Sequence, residues 1–162
     1  AASWDPPGLG RRAGGRALRG YGERDSSGKP DRDRPGAYAI IADGDAILVA
    51  NTSATGETYL LPGGGIDPGE SPLRALHREV MEETGWRIAP RRRVGAFQRY
   101  VFLPDYGYWA RKVCHFYLCH PVHSLGPPTE PDHRPIWMDA SLAADTLSVS
   151  GERAILRQLL RR

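Results

Sequence analysis

The chain is poor in cysteine, with only Cys114 and Cys119 among 162 residues. A disulfide-held scaffold is excluded, because such folds need several pairs. A spacing of five along a strand puts the two on opposite faces, so a bridge between them is not expected. They read as small apolar residues in a reducing cytoplasm. No apolar run approaches the 18 or so residues of a membrane span, and no secretory leader with an apolar core is visible. An excess of one charge is lacking too: 22 Lys and Arg stand against 19 Asp and Glu, a net charge of +3. Such a balance tolerates anionic ligands without marking a nucleic-acid binder. What remains, 40% hydrophobic and 25% charged, is an ordinary globular composition at the length of one domain.

Residues 1–34 differ from the rest. They hold seven glycines, eight Lys or Arg and few large apolar residues, and read as a flexible basic leader. From Pro35 a regular pattern begins. Residues 37–43 and 46–51 are apolar runs of strand length around the turn Gly44-Asp45, which predicts a hairpin. A short strand at 58–62 runs into three glycines, and 93–103 and 111–120 are rich in strand-forming residues. The arginines at 91–93 read as a solvated turn, and Tyr106, Tyr108 and Trp109 as a loop closing on the core or stacking on a base. A proline-rich loop (126–135) precedes a strand at 136–138 and helices at 139–147 and 150–162. Strands with two or three helices, not strictly alternating, indicate an α+β fold with helices on either side of a mixed sheet.

The most informative stretch is 63–86. Ser71 followed by Pro72 starts a helix, and Gly85 stops it. At 100° per residue, Leu73, Leu76, Val80 and Thr84 share one side, which is expected to face the core. Glu79, Glu82 and Glu83 share another arc, with Ala75 within it one turn earlier and Arg78 at its edge. The positions three and four beyond Glu79 carry like charges, where a solvated face usually carries Lys or Arg. The helix dipole also disfavours anions at this end. Two penalties of the same sign need a counter-ion. Carboxylates at this spacing suit a hard divalent cation, magnesium or manganese rather than zinc. His115, His120 and His123 lie along one strand and its exit and make a poor zinc set. Gly63, Gly64 and Gly65 let a backbone approach a ligand closely and present N–H donors to phosphate.

From Gly64 the order is five residues, Glu70, seven residues, Arg78-Glu79-Val80, one residue, Glu82-Glu83, one residue, Gly85. This resembles the Nudix box at every fixed position. Trp86, where the family usually has an aliphatic residue, is a packing position. The resemblance implies a Nudix-type α/β/α sandwich with a mixed sheet over residues 35–162. It also implies an enzyme that hydrolyses a phosphoanhydride in a nucleoside diphosphate linked to another moiety, using magnesium or manganese. Glu79, Glu82 and Glu83 would be metal ligands, with Glu70 an auxiliary one. Arg78 would orient Glu70 or Glu79, and Gly63, Gly64 and Gly65 would lie against the substrate. Glu82 or Glu79 in the box, or Glu130 or Asp132 on the later loop, would serve as general base. A small nucleotide-type substrate is expected, with no membrane partner and nucleic acid disfavoured. A second copy of the chain remains open as a partner. Two other readings stand beside this one: a Nudix-fold module that senses a nucleotide without cutting it, and an RNA 5′-end pyrophosphohydrolase, favoured by the basic leader.

Overall fold

The structure is a computed structural model that describes residues 19–22, 32–53 and 57–161. Nine strands form one sheet: β1 (Gly20–Gly22), β2 (Arg32–Asp33), β3 (Gly36–Asp43), β4 (Ala46–Thr52), β5 (Thr58–Leu60), β6 (Gly63–Gly65), β7 (Trp86–Leu103), β8 (Tyr108–Ser124) and β9 (His133–Asp139). Three helices complete the fold: α1 (Pro72–Thr84), α2 (Ala140–Thr146) and α3 (Ser150–Leu160). The main strand order is β1-β7-β8-β3-β4-β5, with β2 against β8, β6 against β3 and β9 against β4. Parallel pairing of β3 with β8 beside antiparallel pairing of β7 with β8 makes the sheet mixed. Among the described residues no helix is long and apolar enough to cross a membrane.

The sheet separates two apolar clusters, as alternating side chains dictate. Ala37, Ala39 and Ile41 of β3 pack with Leu76 and Val80 of α1. Ile40 packs with Phe97, Phe116, Ala143, Ile155 and Leu156, under α2 and α3. Helices on both faces give the expected α+β sandwich. Cys114 and Cys119 are buried and free, one in each cluster.

Several expectations change. The glycine triplet, into which the strand at 58–62 was expected to run, is itself a strand paired with β3 (Ala37 opposite Gly64). Arg91–Arg93 lie inside β7, not in a turn; register shifts at Pro90/Arg92 and Arg93/Gly95 let proline and exposed arginines into the strand. The tip of the β7–β8 hairpin does not close on the core. Tyr106 is 65% exposed, and the guanidinium groups of Arg32 and Arg34 sit over the Tyr108 and Tyr106 rings at 4.3 and 5.3 Å. On α1, Leu73 is exposed while Ala75, assigned to the acidic arc, is fully buried. The buried stripe is thus turned toward Ala75, Leu76 and Val80. β1 and β2 join the sheet from within the segment expected to be a leader. Residues 1–18 and 23–31 of that segment lie outside the described residues.

Candidate active site

Local signals set α1 in place. The Ser71 hydroxyl accepts the Arg74 N–H at 3.2 Å, and Pro72 opens the first turn. Gly85 closes the helix at φ 74°, its N–H donating to the Met81 carbonyl at 2.9 Å. A Cβ at Gly85 would meet the Gly126 carbonyl oxygen at 2.0 Å. The following loop is bound to this helix end: the N–H of Leu125 donates to Gly85 O and that of Glu130 to Glu82 O, both at 2.9 Å. Carbonyls that the last turn leaves unpaired thereby gain partners. The same bonds bring Glu130 beside the acidic arc, where it acts on both Glu79 and Glu83 as a like charge.

Arg78 organises one half of the arc. Its Nε and Nη2 donate to the two oxygens of Glu70 at 2.8 Å each, a bidentate pair. Nη1 donates to Glu79 Oε1 at 3.0 Å and stands 3.5 Å from Glu82 Oε2. Nη2 also reaches the Gly65 carbonyl at 3.1 Å. The Arg78 guanidinium holds Glu70 down at about 2, and Glu70 in turn pushes Arg78 above its usual range. Glu70 is thus a permanent anion with both oxygens engaged. Gly64 leaves the room in which Glu79 sits: a Cβ there would stand 2.5–2.7 Å from the Glu79 carboxylate atoms.

Glu83 forms the other half. It accepts the Gly63 N–H at 3.0 Å and lies 3.6 Å from His133 Nε2. Burial pushes its carboxyl up to about 8, Glu79 and Glu130 add to the rise, and the Gly63 bond opposes it. Burial likewise raises Glu79, with Arg78 opposing. Burial and like-charged neighbours thus disfavour the ionised form of both carboxylates, even with Arg78 paired to Glu79. This donor set fits a hard divalent cation, which would supply the missing positive charge. Among the described residues no three Asp, Glu, His or Cys side chains already converge on one point, and Glu79 and Glu82 lean toward Arg78.

The structure thus links Gly63–Gly65, Glu70, Arg78, Glu79, Glu82, Glu83 and Glu130 along one side of α1. Sequence reasoning missed two residues. His133 reaches Glu83 from β9, and its Nδ1 is buried with no hydrogen-bond partner among the described residues. Glu152 of α3 is 3% exposed. Its signal was available: Glu152, Ile155, Leu156 and Leu159 recur at helical spacing, so the acid lies on the apolar face.

Comparison with known proteins shows the family and the fold. A family model described as NUDIX domain matches residues 32–159. An RNA pyrophosphohydrolase of Helicobacter pylori (strain G27) is 42% identical over 57 residues, 32% of this chain and 37% of that protein. Diphosphoinositol polyphosphate phosphohydrolase 2 of Rattus norvegicus is 37% identical over 54 residues, 33% of this chain and 30% of that protein. The chain therefore spans well under half the length of these curated relatives. A solved NUDIX hydrolase from Nitrosomonas europaea superposes with a TM-score of 0.66 at 18% identity, over 80% of this chain and 90% of that one.

Proposed function

This chain belongs to the NUDIX family, and from that premise we propose that it hydrolyses a phosphoanhydride bond in a nucleoside diphosphate linked to another moiety. Water attacks phosphorus, and magnesium or manganese is the cofactor. The observation that carries the reading is the acidic arc of α1, where burial and like-charged neighbours disfavour the ionised forms of Glu83 and Glu79, which a divalent cation would favour. The relatives' names, a pyrophosphohydrolase and a phosphohydrolase, support the reaction class.

Glu79, Glu82 and Glu83 would hold the metal, with Glu70 further out, where its oxygens already bind Arg78. The metal, when bound, neutralises phosphate oxygens and acidifies a water. Arg78 fixes the positions of Glu70 and Glu79. Gly63–Gly65 keep the strand beside the arc slim enough for a substrate to approach. The Glu130 carboxylate is exposed, close to the arc and held by its own backbone bond to Glu82. It takes the proton from the attacking water as general base. The substrate is a small nucleotide-type pyrophosphate, and the two buried free thiols suit a reducing cytoplasm.

One observation favours a second reading. Arg32, Arg34, the exposed Tyr106 and the half-buried Tyr108 interleave charge and rings at the hairpin tip, a surface on which single-stranded RNA can stack. A 5′-end RNA pyrophosphohydrolase would use it. A sensing module without activity would have no need of the full set of box glutamates.

A phosphate-release screen with magnesium and with manganese tests the proposal. It would cover nucleoside triphosphates, ADP-ribose, dinucleoside polyphosphates and 5′-triphosphorylated RNA. Release abolished by EDTA and by Glu82→Gln is the expected result. Tight nucleotide binding without release from any substrate would support the sensing module instead.

A further inference from the structure

The loop that meets the end of α1 folds back in one tight turn. The His133 N–H donates to the Glu130 carbonyl at 3.2 Å, so Glu130 and His133 are the first and last residues of that turn, and Pro131 at its second position favours it. The first residue is tied to the helix: the Glu130 N–H donates to Glu82 O at 2.9 Å, and the Thr129 hydroxyl reaches the same carbonyl at 3.5 Å. The last residue enters β9 opposite Thr52. Anchored at both ends, the turn sets the His133 ring against Glu83, with Nε2 3.6 Å from Oε1. The other Glu83 oxygen accepts the Gly63 N–H. Glu83 thus depends on a different set of groups from Glu70, Glu79 and Glu82, which gather around Arg78.

The two ring nitrogens of His133 are not equivalent. Nδ1 is buried with no partner among the described residues. A proton there would be a buried donor without an acceptor, which folded proteins avoid more strictly than a bare lone pair. The proton therefore sits on Nε2, the nitrogen that faces Glu83. A neutral N–H orients a carboxylate without cancelling the charge that a cation needs; a guanidinium in its place would do both. We propose that His133 is the positioning residue for Glu83: its Nε2–H steers Oε1 while the Gly63 N–H holds Oε2, so that the carboxylate meets a divalent cation in one orientation. The assignment rests on the hydrolase reading, from which it takes Glu83 as a metal ligand, and adds a residue from outside the box. The 3.6 Å separation is slightly long for a hydrogen bond, and a small rotation of ring or carboxylate closes it. One turn then serves the site twice, its first residue as the base and its last as the guide for a metal ligand.

Manganese titration of the full chain, followed by the paramagnetic resonance of the free ion, tests this without turnover. His133→Gln places an amide N–H about where the ring Nε2–H stands and is expected to bind manganese as the wild-type protein does. His133→Asn falls one methylene short and is expected to bind about 10–100-fold more weakly, with the melting temperatures of the two variants in EDTA equal. In turnover, the loss in His133→Asn should lie in the magnesium requirement and recover at saturating metal. Equal affinity of all three proteins overturns the proposal. So does a His133→Gln as weak as His133→Asn, because ring packing or direct ligation would then be what counts. A melting temperature that falls together with the affinity marks a merely structural role and overturns it too. Should His133→Asn not fold, long-range proton–nitrogen NMR of the wild-type protein decides: a proton on Nε2 supports the assignment, and a ring without one sinks it. The two readings separate cleanly. Manganese binding that depends on His133 with no phosphate release from any pyrophosphate sinks the hydrolase alone; release with the same magnesium requirement in His133→Asn sinks only the role of His133. A wild-type protein that binds no manganese overturns both.

Discussion

Glu83 closes α1 and Glu152 opens α3, on helices that cover opposite faces of the sheet. Glu83 accepts the N–H of Gly63, the first residue of β6, at 3.0 Å, and Glu152 that of Leu61, in the connection just before it, at 2.8 Å. Burial pushes both up to about 8. Their neighbours differ in sign. Glu79 and Glu130 stand around Glu83, whereas Arg99 and Lys112 act on Glu152. The same side chain, more deeply buried in Glu152 than in Glu83, is thereby set among opposite charges in one place and among like charges in the other.

The largest effect that tests this contrast is on the acidic side. Glu83→Gln and Glu82→Gln are each expected to lower kcat by about 10²–10³-fold while the melting temperature holds. A loss of folding in place of activity would contradict their assignment as metal ligands. Glu130→Gln should lower kcat by about 10²-fold, as loss of a general base does. An unchanged kcat would move that role to a box glutamate. Arg78→Lys replaces a bidentate fork with a point charge. A loss toward the lower end of roughly 10–100-fold in activity or metal affinity is expected, read as a higher magnesium requirement.

An effect on stability rather than on rate sharpens the comparison itself. Glu152 has a folded value of about 8 against an ordinary value of 4.5, so the folded protein holds the proton more tightly. The stability this provides is complete below about 4.5 and is lost as pH rises toward about 8. In metal-free buffer the wild-type melting temperature should therefore fall relative to that of Glu152→Gln across this window. Glu83→Gln should show the same divergence, because Glu83 is raised from 4.5 to about 8 as well. Saturating magnesium should flatten it for Glu83 alone, since a cation there takes the proton's place. Flattening of both would mean that the two carboxyl groups share one environment.

Much of this was legible where the determinants are local. Ser71-Pro72 and Gly85 bound α1 at the expected residues because caps act within one turn. Gly44-Asp45 fixes the β3–β4 hairpin for the same reason. The acidic arc was readable from spacing alone. Tertiary context overrode the rest. Pro90 and Arg91–Arg93 look like a turn, yet a strand with bulges and a solvated face accepts them. Leu73 and Ala75 exchanged places because the helix rolls to seat a small side chain against the sheet, and hydrophobicity cannot rank a close fit above a large surface. His133 gave no signal, since its approach to Glu83 depends on how β9 registers with β4 (Thr52 opposite His133).

The two backbone bonds from Leu125 and Glu130 to the end of α1 carry a consequence for heat sensitivity. Helix ends fray before helices melt. Here the bonds hold the end that carries Glu82 and Glu83 to the loop that carries Glu130. Their loss on warming would part Glu130 from Glu82 and Glu83 while the sheet is still intact, and any catalysis that needs these residues together should fail several degrees before the protein unfolds.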